Sequence, residues 1–236
     1  MRFDIVTLFP ELFAPFLTSG VTRRAYESGQ IAVHLHSLRD FAVGNYRRVD
    51  DRAFGGGPGM VMMAEPLARS VEHIRAERER AGVAGGAPVL LFSPAGQMLN
   101  HSLVAEWAHG EPSLTGAILI CGRYEGLDQR FIDQFVTHQI SLGDFVLSGG
   151  EVPAMAFLDA IARLQPGVLG DAASHAEDSF NPALGGLLDC PHYTRPPEWR
   201  GKPVPPELLS GHHAQIEAWR TAQRRKLTAQ LRPDLL

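Results

Sequence analysis

Two glycine-bracketed turns carry the residues of this 236-residue chain best placed to do chemistry. One is Cys121-Gly122-Arg123-Tyr124-Glu125-Gly126, at the end of the apolar run Ala117 to Cys121. The other is Ser141-Leu142-Gly143-Asp144-Phe145-Val146-Leu147-Ser148-Gly149-Gly150-Glu151, directly before an amphipathic stretch. Glycine lets the main chain approach a bound small molecule and adopt φ values closed to other residues; each glycine taken alone equally serves a tight turn. Neither turn has the G-x-G-x-x-G or G-x-x-x-x-G-K-[ST] spacing, so the dinucleotide and P-loop readings fail and a different cofactor pocket is expected. The run Gly55-Gly56-Gly57-Pro58-Gly59 also lacks a following Lys-Ser/Thr, which weighs against a nucleotide-dependent enzyme with its phosphate loop there. Cys190, His192 and His175 match no four-ligand zinc pattern.

Elements that would position these turns are legible around them. Residues 2–9 and 31–38 alternate apolar and polar as strands. Residues 88–92 and 117–121 are continuous apolar runs, as expected of strands buried on both faces, and 136–142 reads as another strand. Helices are expected over 21–28, 65–80, 128–135 and 151–164, with Asn100 capping one that runs to Ala108. Strand, helix, strand, helix, strand over 88–164 implies a mostly parallel sheet covered by helices. Residues 165–206 turn rich in Gly, Pro, Asp and Ser, a long connector. Helix returns over 212–232, with Ile216, Trp219, Leu227 and Leu231 as its apolar stripe and Arg220, Arg224, Arg225 and Lys226 largely off it. The expected division is a first domain over 1–164, a linker over 165–190 and a small, mostly helical domain over 191–236.

A hydrophobic content of 44% with 20% charged residues fits a soluble globular protein. No apolar run is long enough to span a membrane, the start reads as a strand rather than a signal peptide, and two cysteines make no disulfide framework. A cytoplasmic location is the expectation. The net charge is −4, with 22 Lys+Arg against 26 Asp+Glu, but residues 195–236 alone carry 8 against 4. A basic end on an acidic body suits local phosphate contact, and equally a solvated helix face.

Seven ordered motifs carry a resemblance: GGGPGM (55–60), LFSPAG (91–96), CGRYEG (121–126), SLGDFVLSGGE (141–151), AIARLQPGVLG (160–170), EDSF (177–180) and DCPHYTRP (189–196). Together with LSGHHAQIEAWR (208–219), they make nearly the whole chain similar to the bacterial tRNA (guanine-N1)-methyltransferases of the TrmD family. The resemblance implies the SPOUT α/β fold with a trefoil knot at the C-terminal part of the cofactor domain. It implies S-adenosylmethionine as cofactor, methylation of N1 of guanine 37 of tRNA, 3′ of the anticodon, and a homodimer with each active site built from both chains. Residues 181–186 make the segment between EDSF and DCPHYTRP slightly longer than the family's.

On this resemblance, the cofactor is wrapped by Ser93, Pro94 and Gly96, by Gly122, Tyr124, Glu125 and Gly126, and by Leu142, Gly143, Asp144, Phe145, Val146, Leu147, Gly149 and Gly150. Adenine needs an apolar slot with backbone donors and acceptors, which Leu142, Phe145, Val146 and Leu147 supply. Asp178 is implied as the base that removes the N1 proton, and Arg163 as the guanidinium that stabilises charge at O6. By residue type alone, Arg163 reads as a cation at a helix C-terminus and Asp178 as a solvated loop acid. Magnesium is implied, with Glu125 and Asp178 its candidate partners. For tRNA the candidates are Arg47, Arg48, Arg52, Gly55, Gly59, Tyr193, Arg195, Arg220 and Arg224. A non-catalytic RNA-binding or ligand-sensing module on the same fold is the rival reading.

Overall fold

The computed structural model describes residues 1–83, 86–109, 116–170 and 177–236. The chain forms two compact units, Met1–Val168 and Leu169–Leu236.

In the first unit, five parallel strands make one sheet: β1 (Arg2–Thr7), β2 (Ala32–Ser37), β5 (Val89–Met98), β6 (Gly116–Ile120) and β7 (His138–Ser141), in the order β2-β1-β6-β5-β7. The helices are α1 (Phe13–Thr18), α2 (Arg23–Glu27), α3 (Ala64–Arg80), α4 (His101–His109), α5 (Gln129–Phe135) and α6 (Glu151–Arg163). A two-residue pair, β3 (Asp50–Asp51) with β4 (Val61–Met62), closes the glycine-rich loop between them.

Strand alternation sorts the side chains onto two faces. Phe3, Ile5, Leu90, Phe92, Ala117, Leu119 and Cys121 pack with Phe13, Trp107, Phe157 and Ile161 from α1, α4 and α6. Val6, Val89, Leu91, Ile118 and Ile120 pack with Leu67, Val71, Ile74 and Phe131 from α3 and α5. Helices therefore cover both faces, and the apolar runs 89–92 and 117–120 are continuous because each face needs its own half. Asn100 caps α4 as expected, its Oδ1 accepting the Leu103 N–H at 3.0 Å.

One strand departs from the expected pattern. The chain over 93–96 does not end β5: Phe92 and Gln97 both lie opposite Ile140, so four residues loop out and the strand resumes at Gln97 and Met98. That bulge delivers Ser93 and Pro94 to the sheet's C-terminal edge.

The second unit holds a hairpin of β8 (Glu198–Trp199) and β9 (Lys202–Pro203), a short α7 (Pro206–Leu209) and the long α8 (His213–Leu231). The stripe on α8 is shifted from expectation. Arg224 and Thr228 are its buried residues, while Leu231 is exposed. Arg224 follows Ile216 by eight positions and precedes Thr228 by four, so helical spacing puts it on the packed face. The 181–186 segment is absorbed locally. Asn181 Oδ1 accepts the Ala183 N–H, Pro182–Leu184 makes a 3-10 turn, and Gly185 and Gly186 at φ 68° and 75° close the loop. The Phe180 N–H then meets the Leu187 carbonyl at 2.9 Å across its neck.

Candidate active site

A cleft of about 250 Å³ opens where β5, β6 and β7 end. In parallel α/β sheets this C-terminal edge is where ligands bind. Every cofactor residue expected from the sequence lines it except Gly96 and Asp144. Asp144 is exposed outside it, and Gly96 has another role: a Cβ there would strike the main chain of Gln139 and Ile140.

The cleft's walls follow from the fold. Gly122 to Gly126 extends β6, and Tyr124 turns the chain at φ 62°. A positive φ on a bulky residue costs on the order of 1–3 kcal/mol and is found most at functional turns. The Glu125 N–H donates to the Met60 carbonyl at 3.0 Å and the Met62 N–H to the Gly126 carbonyl at 2.9 Å, tying this turn to the glycine-rich loop. Gly59 lies so close to Glu125 that a side chain there would overlap its carboxylate stem. Burial raises the Tyr124 hydroxyl above its usual range, and Asp50 adds to that.

The opposite wall, 141–150, is held at its end by the Gly150 N–H donating to the Gly122 carbonyl at 2.9 Å. A Cβ on Gly150 would sit 2.7 Å from Cys121 Cα and 3.0 Å from Gly122 N, so no side chain fits. Phe145 and Val146 present exposed apolar surface at the mouth, 55% and 84% accessible. Gly150→Ala should lower folding stability by about 1–3 kcal/mol, the usual cost of overpacking against rigid main chain. Urea unfolding of parent and variant checks this, and an unchanged midpoint would show that the two segments separate freely.

Several wall residues escaped the sequence reading. Arg123, Leu127, Ile132, Ile140 and Pro153 also line the cleft. The four apolar ones are indistinguishable by type from core positions, and Arg123 stood inside a quoted motif without an assigned role.

The implied catalytic pair falls in different units. Arg163 is the last residue of α6, half-buried in the first unit. Asp178 is half-buried in the second, where its carbonyl accepts the Asn181 N–H at 3.2 Å. Ser179 Oγ accepts the Asp189 N–H at 2.9 Å, so EDSF and DCPHYTRP are clipped together. Among the described residues no group of three or more His, Cys, Asp and Glu is arranged to hold a metal. Glu125 belongs to the first unit and Asp178 to the second. Cys190 and His192 are described, whereas His175 and the rest of 171–176 within the expected linker lie outside the described residues.

The nucleic-acid candidates divide by exposure. Arg47, Arg48 and Arg52 are exposed beside the open Gly55 loop, with Arg47 held by Asp40 at 2.9 Å and Arg48 by Asp51 at 2.7 Å. Tyr46 and Phe54, not anticipated, flank them at 93% and 100% exposure. Tyr193 is exposed edge-on to Trp219, Arg195 is exposed, and Arg220 is partly so. Arg224 is a correction: it is buried and bound to Glu217 at 2.8 Å and Asp189 at 3.4 Å, which commits its guanidinium to holding this unit together. Among the described residues no helix is long and apolar enough to cross a membrane.

Fold and cleft together define an α/β protein with a parallel five-stranded sheet and a partly apolar, glycine-backed cleft at the strand ends. The family model described as tRNA (Guanine-1)-methyltransferase TrmD matches residues 1–236, and the chain belongs to that family. A tRNA (guanine-N(1)-)-methyltransferase of Albidiferax ferrireducens is 70% identical over 236 residues, covering all of this chain and 92% of the relative. Relatives of the same description from Polaromonas sp. and Bordetella parapertussis are 67% and 56% identical, each over the whole of this chain and 89% and 90% of their own lengths.

Proposed function

We propose that this chain methylates N1 of a guanine in tRNA, guanine 37 on the 3′ side of the anticodon, with S-adenosylmethionine as donor. The observation that carries the reading is the glycine-walled cleft at the strand ends in a chain whose full length matches the family. The cleft fits the cofactor: Leu142, Phe145, Val146 and Leu147 offer an apolar slot, and Gly122, Gly126, Gly149 and Gly150 bring bare main chain to its walls. S-adenosylmethionine supplies an electrophilic methyl group.

The chain's own residues prepare the base. N1 of guanine carries a proton at neutral pH and is a poor nucleophile until that proton leaves. Asp178 takes it, and Arg163 offers planar donors to the charge that then gathers at O6. Arg47, Arg48, Arg52, Tyr193, Arg195 and Arg220 hold the RNA, chiefly through phosphates, and the exposed rings of Tyr46 and Phe54 offer stacking faces to unpaired bases. Residues 1–164 form the cofactor domain and 191–236 the tRNA-binding domain; of the expected linker 165–190, residues 177–190 pack into the second unit. Two chains form the working dimer, in the cytoplasm.

Two close main-chain approaches support the trefoil knot of the SPOUT fold. Gly96 abuts the Gln139–Ile140 backbone, and Gly150 abuts that of Cys121. Chain segments distant in sequence touch there with no side chain between them, which suits the tight passage of a threaded chain.

Incubating the protein with unmodified tRNA and methyl-labelled S-adenosylmethionine, then analysing nucleosides by mass spectrometry, should give labelled 1-methylguanosine. A tRNA with adenine at position 37 should give none. Label on another nucleoside, or no label with the parent tRNA, would overturn the reading.

A further inference from the structure

Beneath the cleft lies a charge pair that the proposed chemistry does not use. Arg123 lines the cleft with one-fifth of its side chain accessible, and its Nη2 is 2.9 Å from Glu151 Oε2. Its Nη1 donates to the Ser148 carbonyl at 3.2 Å, and its guanidinium lies 4.6 Å from the centre of the Phe9 ring. Glu151 sits behind it, 1% exposed. The other carboxylate oxygen, Oε1, accepts the hydroxyl of fully buried Thr7 at 2.7 Å. Glu151 Oε2 and Arg123 Nε are inaccessible and without a hydrogen-bond partner, so charge rather than a hydrogen bond joins the two side chains. Gly149 is pressed against both, with its Cβ position 2.5 Å from Arg123 Cδ and 2.6 Å from Glu151 Oε2. The pair also acts on the buried Cys121 thiol at the end of β6. Burial pushes the Cys121 thiol well up, Glu151 pushes it further, and Arg123 opposes.

Charge decides what such a wall tolerates. At neutral pH S-adenosylmethionine carries a sulfonium and a net charge of about +1, whereas the product S-adenosylhomocysteine is a neutral thioether with no net charge. An unopposed guanidinium in the wall would repel the first and leave the second nearly unaffected. We infer that Glu151 is a specificity-determining residue: its buried carboxylate cancels the charge of Arg123 so that the cleft accepts a cationic sulfonium ligand. The inference rests on the functional reading above and assigns a role to a residue outside the cleft lining.

The test is calorimetric titration of both ligands into the full chain, with no catalysis involved. Glu151→Gln should lower the ratio of S-adenosylmethionine to S-adenosylhomocysteine affinity about tenfold. The double variant Arg123→Met/Glu151→Gln, which removes both charges, should restore it to within about twofold of the parent. Equal weakening of both ligands by Glu151→Gln would mean that the carboxylate is only a strut for the 142–150 loop, and a ratio still lowered in the double variant would also overturn the inference. Should Glu151→Gln fail to fold, Arg123→Met carries the same test with opposite sign. It leaves the carboxylate unopposed and must raise the ratio, so an unchanged or lowered ratio refutes the proposal. A parent protein that binds neither ligand overturns the functional reading and this inference with it.

Discussion

Asp4→Asn should lower folding stability by about 3–5 kcal/mol at pH 7, the usual result of leaving a buried charge without its partner. Asp4 is fully buried in β1, and Arg78 of α3 is 1% exposed. Arg78 Nε donates to Asp4 Oδ2 at 2.7 Å, and its Nη2 donates to the Arg2 and Ala117 carbonyls at 2.7 and 3.2 Å. Arg2 and His36 complete the shell around the carboxylate, at 2.8 and 2.9 Å. The network pins α3 to the first residues of β1 and β6, at the sheet end opposite the cleft. Burial alone would raise the Asp4 carboxyl, but hydrogen bonds from His36 and Arg2 and the charge of Arg78 together hold it far below the carboxylate range.

The sign of the pH dependence follows from that depression. A carboxyl whose folded pKa lies below its unfolded value stabilises the fold at pH values above the unfolded value, near ~4. That contribution is lost as pH falls toward the folded value. The stability gap between the parent and Asp4→Asn should therefore be full at pH 7 and narrow progressively below about pH 4. Urea unfolding of both proteins at several pH values measures it. A gap that stays constant into acid would show that packing, not charge, underlies the loss.

The buried pair at the centre of this network, Asp4 and Arg78, was not legible in the sequence. Asp4 stands in RFDIVT, where alternation assigns a strand but not which polar residue faces inward. Arg78 stands in a run of charged residues, Glu77 to Arg80, that reads as a solvated helix end. By contrast, the two glycine turns were legible because glycine is informative wherever main chain approaches main chain or ligand, and the apolar runs at 89–92 and 117–120 were legible because a sheet covered on both faces needs them. The bulge at 93–96 reads as a terminating turn because Ser-Pro-Ala-Gly ends strands far more often than it interrupts them. Arg224 shows a different failure. Its type suggested phosphate, but its helical position put it among Ile216, Leu227 and Thr228, where Glu217 and Asp189 neutralise it.

Asp178→Ala should leave S-adenosylmethionine affinity nearly intact and slow methyl transfer by roughly 10²–10⁴-fold, the usual range for loss of a general base. The affinity should hold because the described residues that line the cleft all belong to the first unit, whereas Asp178 belongs to the second. Within that unit Phe180 pairs with Leu187 and Asp189 with Ser179 across the neck of the 181–186 loop. Phe180 itself is held at φ 70°, a conformation that only surrounding contacts sustain in a non-glycine residue. Single-turnover kinetics isolates the chemical step from binding and product release. Arg163→Ala should slow the same step, with Arg163→Lys a poor rescue because an ammonium lacks the planar fork. Mixing Arg163→Ala chains with Asp178→Ala chains then tests the dimer. If the two residues act across a subunit interface, mixed dimers carry one site with both groups intact, and activity should recover well above that of either variant alone. Transfer by Asp178→Ala at near the parental rate would move the base elsewhere. Glu125 would be the first suspect, since it is the exposed carboxylate that lines the cleft against Gly59.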